Sequence, residues 1–299
     1  MQKAQYKHTE AYIKSVELVK KFVDDMLHGD ISLLQTLCFD DITEKEYIGD
    51  IEDPNMFWIT QAIYIILWGD CFGLDHSNLG EWKKGDFRGD TMNSFGSLIG
   101  KENRDKGREF AYRAKFFGAD KDEVLWNKIL RFKRLYHSVG NFLVLPNQGS
   151  VKYGINGARG KFFDEDDCEG MRDYFDWFLI ALADYQKQRM NGVTAFEKFA
   201  GQLHENPEYD PDFMKIEEWE SRFFLTPYFK NGEPTLLFKT PLKDRLKRTA
   251  APENRGSSTD YYSDEEYLEL LRDYLDKTID VIQYRGSKIV GALKTALEE

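Results

Sequence analysis

The chain has 299 residues, of which 41% are hydrophobic and 15% aromatic, so it can bury a full core and is not a disordered protein. Its net charge of −11 at pH 7 argues against a protein whose whole surface is built to bind nucleic acid. The three cysteines are far apart in sequence and form no CxxC pair, which excludes a disulfide framework and a thiolate zinc site. Residues 1–10 contain no apolar leader, and the longest apolar run, residues 57–68, is too short to cross a bilayer of about 30 Å. We therefore expect a cytoplasmic protein that does not enter a membrane.

The first half of the chain predicts helices. Thr9 is a candidate N-cap, and apolar residues recur at helical spacing over 13–27 until His28–Gly29 ends the helix with a glycine in the left-handed region. Residues 55–68 are apolar almost all round, which in a globular protein predicts a buried helix. This second helix is expected to form the core of the first half.

A polar segment follows between Arg88 and Gly100. Four short polar side chains stand there in five positions: Asp90, Thr91, Asn93 and Ser94. Such side chains bind backbone groups in turns and at helix starts, so the segment predicts an elaborate turn or cap if no function uses it.

Positive charge is concentrated between Lys101 and Arg134. This segment has eleven Lys or Arg against six Asp or Glu, a net charge of +5, so the rest of the chain carries −16. It predicts an antiparallel pair of helices, 102–117 and 120–136, with Val124 and Leu130 among the residues available for burial. One interpretation makes the basic residues a nucleic-acid-binding surface, and the other makes them a solvated helix face.

At the end of the second helix of this pair, Arg131 and His137 form an R-x5-H pair, which resembles the loose signature of the HEPN-type helical ribonucleases. In that chemistry the histidine polarises or deprotonates and the arginine holds the scissile phosphate, so both must face the same side. Six residues correspond to about 600° of helix rotation, so the two share a side only if the helix ends between them.

One segment of the chain combines polar residues and glycines in the way that an active site does. It is His137–Lys161, HSVGNFLVLPNQGSVKYGINGARGK. The pattern H-x2-GN-x-LVLPN, followed by N-x2-RGK, resembles the Asn-bearing half of the HNH (ββα-metal) nucleases, in particular those of modification-dependent restriction enzymes. On that resemblance Asn141 and Asn156 occupy the two asparagine positions, and Arg159 and Lys161 stand where basic residues approach phosphate.

The candidate catalytic residues are thus His137, Asn141 and Asn156, and Arg131 is a further candidate for binding phosphate. HNH chemistry implies a divalent cation, Mg²⁺ or Mn²⁺, that holds the phosphate while an upstream histidine activates water. Asp90 and Asn156 are the candidate metal ligands, because carboxylate and amide oxygens suit hard cations. Thr91 stands where the upstream histidine is wanted, so the resemblance implies a scaffold whose catalysis is lost or altered.

A wider resemblance runs from Arg88 to Leu182. The segments GDTMNSF, HSVGNFLVLPN, INGARGK and RDYFDWFL, taken together, are similar to a family of bacterial proteins of unknown function. This similarity implies one shared fold for the four segments and supplies no activity.

The remaining third of the chain predicts further helices and one hairpin. Residues 169–190 predict an amphipathic helix on which Asp173 and Asp176 lie three residues apart, on one face, and could hold a cation with Asp164 or Asp167. Within 225–240, Asn231–Gly232 predicts the turn of a small hairpin.

The C-terminal part is predicted to contain a loop and two helices. Residues 249–262 are rich in Ala, Pro, Gly and Ser, which predicts a flexible loop. A capping box that opens at Ser263 predicts a helix over 267–284, and a second helix is expected from Ser287.

The sequence therefore predicts a mainly α (α+β) protein: a helical domain with a small β element around residues 139–156 and a hairpin near 225–240. We expect a core domain over 1–248, a flexible loop over 249–262 and C-terminal helices over 263–299 that pack on the core.

The sequence allows three functions, and it does not decide whether the protein is an enzyme. The first is a nucleic-acid-directed, HNH-derived bacterial protein of defence or mobile elements, which binds nucleic acid through Lys101–Arg134. The second is a non-catalytic helical binding or scaffold protein in which Asn141 and Asn156 satisfy buried backbone groups. The third is an HEPN-like ribonuclease that uses Arg131 and His137.

Overall fold

The computed structural model describes residues 3–30, 58–72, 87–93, 114–115, 118–146, 175–176, 179, 182–183, 215–235, 237 and 264–299. Helices predominate in these stretches and short antiparallel strand pairs accompany them, so the predicted mainly α class is confirmed. The helices are α1 (Lys3–Tyr6), α2 (Glu10–Leu27), α3 (Trp58–Phe72), α4 (Glu123–Tyr136), α5 (Ile216–Arg222) and α6 (Asp264–Glu298). The strands are β1 (Phe87–Thr91), β2 (Phe142–Pro146), β3 (Phe229–Lys230) and β4 (Glu233–Pro234).

Both ends of α2 follow from local signals. The Thr9 hydroxyl accepts a hydrogen bond from the Tyr12 N–H at 3.3 Å, so Thr9 is the N-cap as predicted. At the other end His28 (φ 54°) and Gly29 (φ 76°) are both left-handed, and the Gly29 N–H donates to the Val23 carbonyl at 3.1 Å. The histidine takes a conformation in which His is enriched among non-glycine residues.

The apolar helix α3 lies in the main core. Residues 59–71 are buried except for Leu67, which is partly exposed, as the all-round apolar pattern predicts. Gly69 allows a close approach by Tyr6 of α1, because a Cβ built on Gly69 would lie 1.7 Å from the Tyr6 hydroxyl oxygen. In the described part of the chain, no helix is both long and apolar enough to cross a membrane.

The helix α4 buries one stripe and leaves two apolar residues in solvent. Its buried side chains are Leu125, Ile129, Phe132, Leu135 and Tyr136. Val124 is 69% exposed and Leu130 41% exposed, so their predicted burial is wrong. They lie to the side of the i, i+4, i+7 stripe that begins at Leu125, and it is that stripe that packs in the hydrophobic cluster with α6.

Two strand pairs make up the described β structure. β1 and β2 pair antiparallel, with Asp90 opposite Leu143 and Thr91 opposite Phe142, which places β2 in the predicted β element. β3 and β4 form the predicted hairpin. Its two turn residues, Asn231 (φ 55°) and Gly232 (φ 77°), are both left-handed, as a type I′ turn requires.

The helix α6 is continuous over 35 residues, so the predicted break between two C-terminal helices is wrong. The Ser287 hydroxyl donates to the Gln283 carbonyl at 3.0 Å, a bond with which serine can remain inside a helix. The buried side chains before and after Ser287 stabilise the helix by more than the roughly 1 kcal/mol that Gly286 costs relative to alanine. Ser263 and the loop 249–262 lie outside the described residues.

Hydrophobic packing forms two clusters, and α6 belongs to both. Between Tyr267 and Ile282 it packs on α4 through Tyr267, Leu271, Tyr274, Leu275 and Ile282. Its second half joins the main core of α2, α3 and α5 through Val281, Ile289, Val290, Leu293, Ala296 and Leu297. The helix therefore connects the two clusters.

Candidate functional site

The HSVGN motif begins where α4 ends. His137 is the C-cap of that helix, and the Ser138 hydroxyl donates to the Leu135 carbonyl at 2.7 Å. A single 3₁₀ turn, Val139–Asn141, then turns the chain into β2. Both the turn and Ser138 are fully or almost fully buried, so the motif enters the core and does not line a surface cleft.

Asn141 has its side-chain amide completely hydrogen-bonded inside the core. Its Oδ1 accepts from the backbone N–H and from the Nδ2 of Asn93, both at 3.1 Å. Its Nδ2 donates to the carbonyls of Asn93 at 2.9 Å and Tyr136 at 2.8 Å. Tyr228 extends the network, because its hydroxyl donates to Asn93 Oδ1 at 2.7 Å. Asn141 thus joins α4, the end of β1 and the segment before β3.

Arg285 of α6 holds the same turn from the other side. Its side chain is fully buried, and Nη1 donates to the carbonyls of Val139, Gly140 and Phe142 at 3.1, 3.0 and 2.7 Å. Its Nε donates to the Phe223 carbonyl at 2.8 Å, and the guanidinium lies 5.4 Å from the centre of the Trp68 ring. Arg285 falls in the break predicted between the two C-terminal helices, and nothing in the sequence there indicates such a role.

Arg131 and His137 have different surroundings. The His137 ring stacks on Tyr136 at 4.5 Å and meets the edge of Phe142 at 5.8 Å between ring centres. Arg131 lines a groove between α4 and α6 together with Asp276 and Asp280. Lys128 also lines this groove, so its two carboxylates offset the two positive charges and it presents no net positive charge to a phosphate group.

The other predicted site residues are only partly described. The backbone of Asp90 lies in β1 opposite Leu143, three residues before Asn93. Asn156, Arg159 and Lys161 lie outside the described residues, as do residues 101–113 and 116–117 of the basic segment Lys101–Arg134. Within that basic segment Lys128 forms an ion pair with Asp276, so part of its charge is neutralised.

Asp176 has a structural role in the core. It is fully buried, and its Oδ2 accepts a hydrogen bond from the Leu237 N–H at 2.6 Å. Its predicted partner in a cation site, Asp173, lies outside the described residues. Among the residues that the structure does describe, no three potential metal-binding side chains of His, Cys, Asp or Glu come together.

A second polar cluster lies at the C-terminal end of α3. Arg222 Nη1 donates to Asp70 Oδ2 at 3.1 Å and to the Cys71 sulfur at 3.2 Å, and its Nε donates to Glu218 Oε2 at 2.7 Å. Burial, aided by the nearby Asp70 charge, raises the pKa of Cys71 to about 12, so its thiol is neutral at physiological pH. The partners are about 150 residues apart in sequence, which is why sequence reasoning missed this cluster.

Comparison of the chain with protein-family models, curated proteins and solved structures finds no match. The contacts described above therefore carry the functional interpretation. They comprise a buried hydrogen-bond network around Asn141 and Arg285 and a partly buried ion-pair cluster around Arg222.

Proposed function

We propose that the chain is a non-catalytic helical binding or scaffold protein, and that its HSVGN motif is a structural element. The hydrogen bonding of Asn141 carries this proposal. An asparagine amide has two acceptor sites on oxygen and two donor hydrogens on nitrogen, and all four are used within the core. The side chain has no remaining capacity for a metal ion or for a phosphate group.

Substitution at Asn141 tests the proposal. Asn141→Ala leaves buried groups of Asn93 and Tyr136 without partners, so we expect the free energy of unfolding to fall by about 3–4 kcal/mol. Asn141→Asp should be equally damaging, because its second oxygen would face two carbonyl oxygens. Urea unfolding measures both, with Asn127→Ala on the exposed side of α4 as the matched control.

A metal titration separates this proposal from the nuclease alternative. The nuclease alternative places the metal on Asp90 and Asn156, so it predicts binding of Mg²⁺ or Mn²⁺ that Asp90→Ala and Asn156→Ala abolish. The structural role proposed for the motif predicts no such heat in calorimetry on the wild type and these two variants. Metal binding by the wild type that both substitutions abolish would contradict the proposal.

A second candidate is a nucleic-acid-directed protein derived from the HNH scaffold, with catalysis lost or altered. The β1–β2 pairing favours it, because Asp90 and Thr91 lie beside the Asn-bearing segment, as the resemblance requires of the upstream strand. Fluorescence anisotropy with a labelled DNA duplex at several salt concentrations tests it. Binding that weakens steeply as salt rises is the expected result, and its absence at 50 mM salt would remove this candidate.

The HEPN-like ribonuclease has less support. It needs Arg131 and His137 to meet one phosphate, whereas Asp276 and Asp280 share the groove with Arg131 and the His137 ring packs on Tyr136. It stays a prediction whose test is cleavage of a generic RNA by the wild type, compared with His137→Ala.

A further inference from the structure

A cavity of about 370 Å³ opens where α1, α2, α3, α5 and α6 meet. This volume lies within the range of small-molecule sites, roughly 300–1,000 Å³. Its walls include the aromatic side chains of Tyr6, Tyr12 and Phe224, and Lys7 and Thr295 supply polar groups. The mixture of apolar walls with a few polar groups is typical of sites for small organic ligands.

One wall residue has an unfavourable backbone conformation. Phe224 follows α5 with φ 58°, and the next N–H, of Leu225, donates back to the Glu220 carbonyl at 2.9 Å. This helix ending usually has glycine at the left-handed position, because a bulky side chain is disfavoured there. Strain of this kind concentrates at functional sites, and here it places an aromatic ring in the cavity wall.

The acidic group inside the cavity is already neutralised. The Asp70 side chain is 6% exposed and forms an ion pair with Arg222, which also binds Glu218. A cationic ligand that sought Asp70 would have to displace Arg222 from a carboxylate that is itself buried. Removal of one partner from such a pair is strongly destabilising.

The Lys7 ammonium is more accessible to a ligand. Lys7 pairs with Glu299, and the two side chains are 35% and 49% exposed. Exposed pairs of this kind contribute little to stability, so a competing carboxylate can displace Glu299 at small cost. The Tyr12 hydroxyl lies close enough for the Lys7, Glu299 and Asp70 charges to act on it, and among the described residues none hydrogen-bonds to it.

We propose that this cavity binds a small carboxylic acid with an aromatic or aliphatic body, and that the ligand carboxylate replaces Glu299 at the Lys7 ammonium. The body of the ligand contacts Tyr6, Tyr12 and Phe224. This site is independent of the role proposed for Asn141, so either assignment can fail without the other.

Three probes of matched shape test the chemical class: 2-naphthoate, 2-naphthamide and 2-naphthylmethylammonium. Titration calorimetry with the full chain should give at least threefold tighter binding for the carboxylate than for the amide or the ammonium. Equal affinities, a preference for the ammonium, or no heat from any probe at millimolar concentration would each overturn the proposal.

Variants of the ion pair test the position of the carboxylate. Lys7→Met should remove the preference for 2-naphthoate, whereas Glu299→Gln should tighten naphthoate binding, because it removes a competing charge and keeps the shape. The matched controls are Lys14→Met and Glu10→Gln, which alter the exposed i, i+4 pair on α2 and should change nothing. If Lys7→Met and Lys14→Met bind naphthoate equally, the assigned position is wrong.

Phe224→Gly tests whether the Phe224 ring contributes to ligand binding or only to the stability of the fold. Glycine relieves the left-handed strain but removes a partly buried ring that packs on the main core, so the urea midpoint should change little while naphthoate binding weakens at least threefold. A variant that loses stability and keeps its affinity would overturn the role of Phe224 in the site.

Discussion

The Cys71 thiol lies buried between Asp70 and the Arg222 guanidinium. Burial, with a smaller contribution from Asp70, raises its pKa to about 12, and a neutral thiol is a poor nucleophile. We expect iodoacetamide at pH 8 to modify Cys71 at least about 100-fold more slowly in the folded protein than in urea. Mass spectrometry of the peptide that contains Cys71 measures both rates, and comparable rates would contradict the buried thiol.

The same pKa shift predicts a pH dependence of stability. Because the pKa of Cys71 is higher in the folded state than in the unfolded chain, its contribution is complete below about pH 9 and is lost as the pH rises towards about 12. The difference in free energy of unfolding between the wild type and Cys71→Ala should therefore shrink as the pH rises from 9 to 11. A difference that stays constant across this range would show that the thiol does not titrate as expected.

Single residues were predictable where their partners are local. The Thr9 cap bonds three residues ahead, and a sequence pattern contains both partners. Asn141 was singled out by its motif, but its main partner, Asn93, is 48 residues away. The sequence gives no measure of burial or of hydrogen-bond saturation, so it could not separate a catalytic asparagine from a structural one.

At the scale of elements, two helical glycines form a matched pair of test positions. A Cβ at Gly69 would overlap the buried Tyr6 ring, whereas a Cβ at Gly291 meets nothing within 4 Å. Gly69→Ala must expel Tyr6 or shift α3, so we expect a loss of about 2–3 kcal/mol. Gly291→Ala should raise stability by about 0.5–1 kcal/mol, since alanine is the better helix former.

Urea unfolding of the two glycine variants measures both changes on one scale. Equal effects would show that α1 is not packed against α3 as described. Near-ultraviolet circular dichroism supplies a second readout, because loss of the Tyr6 contact alters the tyrosine signal only in Gly69→Ala.

Elements were predictable where local rules and tertiary contacts agree. The Asn231–Gly232 turn fixes the hairpin by its own backbone preference, so the sequence located it correctly. The break expected near Ser287 was wrong because Arg285 and Ile289, which flank the helix-weakening residues Gly286 and Ser287, are both buried. The exposure of Val124 depends on which side of α4 meets α6, and the sequence does not contain that information.

For the whole molecule, Arg285 joins α6 to the turn before β2, to the end of α5 and to the Trp68 ring of α3. Arg285→Met would leave four buried carbonyls without their donor, so we expect a loss of about 3–5 kcal/mol in free energy of unfolding. Arg285→Lys should recover only a fraction, because one ammonium cannot reach carbonyls on two sides. Arg272→Met, which removes a partly exposed contact with Asp122, is the control and should have a much smaller effect.

The residues that make up the cavity were the part of the structure that the sequence predicted least well. The cavity joins Lys7 to Glu299 and Asp70 to Arg222, and only the packing of α2, α3, α5 and α6 brings these residues together. Composition and helical periodicity were sufficient for the fold class, because they depend on neighbours within a few turns. Neither quantity specifies which helix ends meet.

The Arg285 contacts also set an order of events during translation. The Phe142 carbonyl is made 143 residues before its arginine donor, which at about 5–20 residues per second is roughly 7–30 s earlier. During that interval the nascent HSVGN segment lacks the guanidinium that holds it in the finished protein. Ribosomal speed through α6 and the supply of chaperones are therefore expected to influence the yield of correctly folded chains.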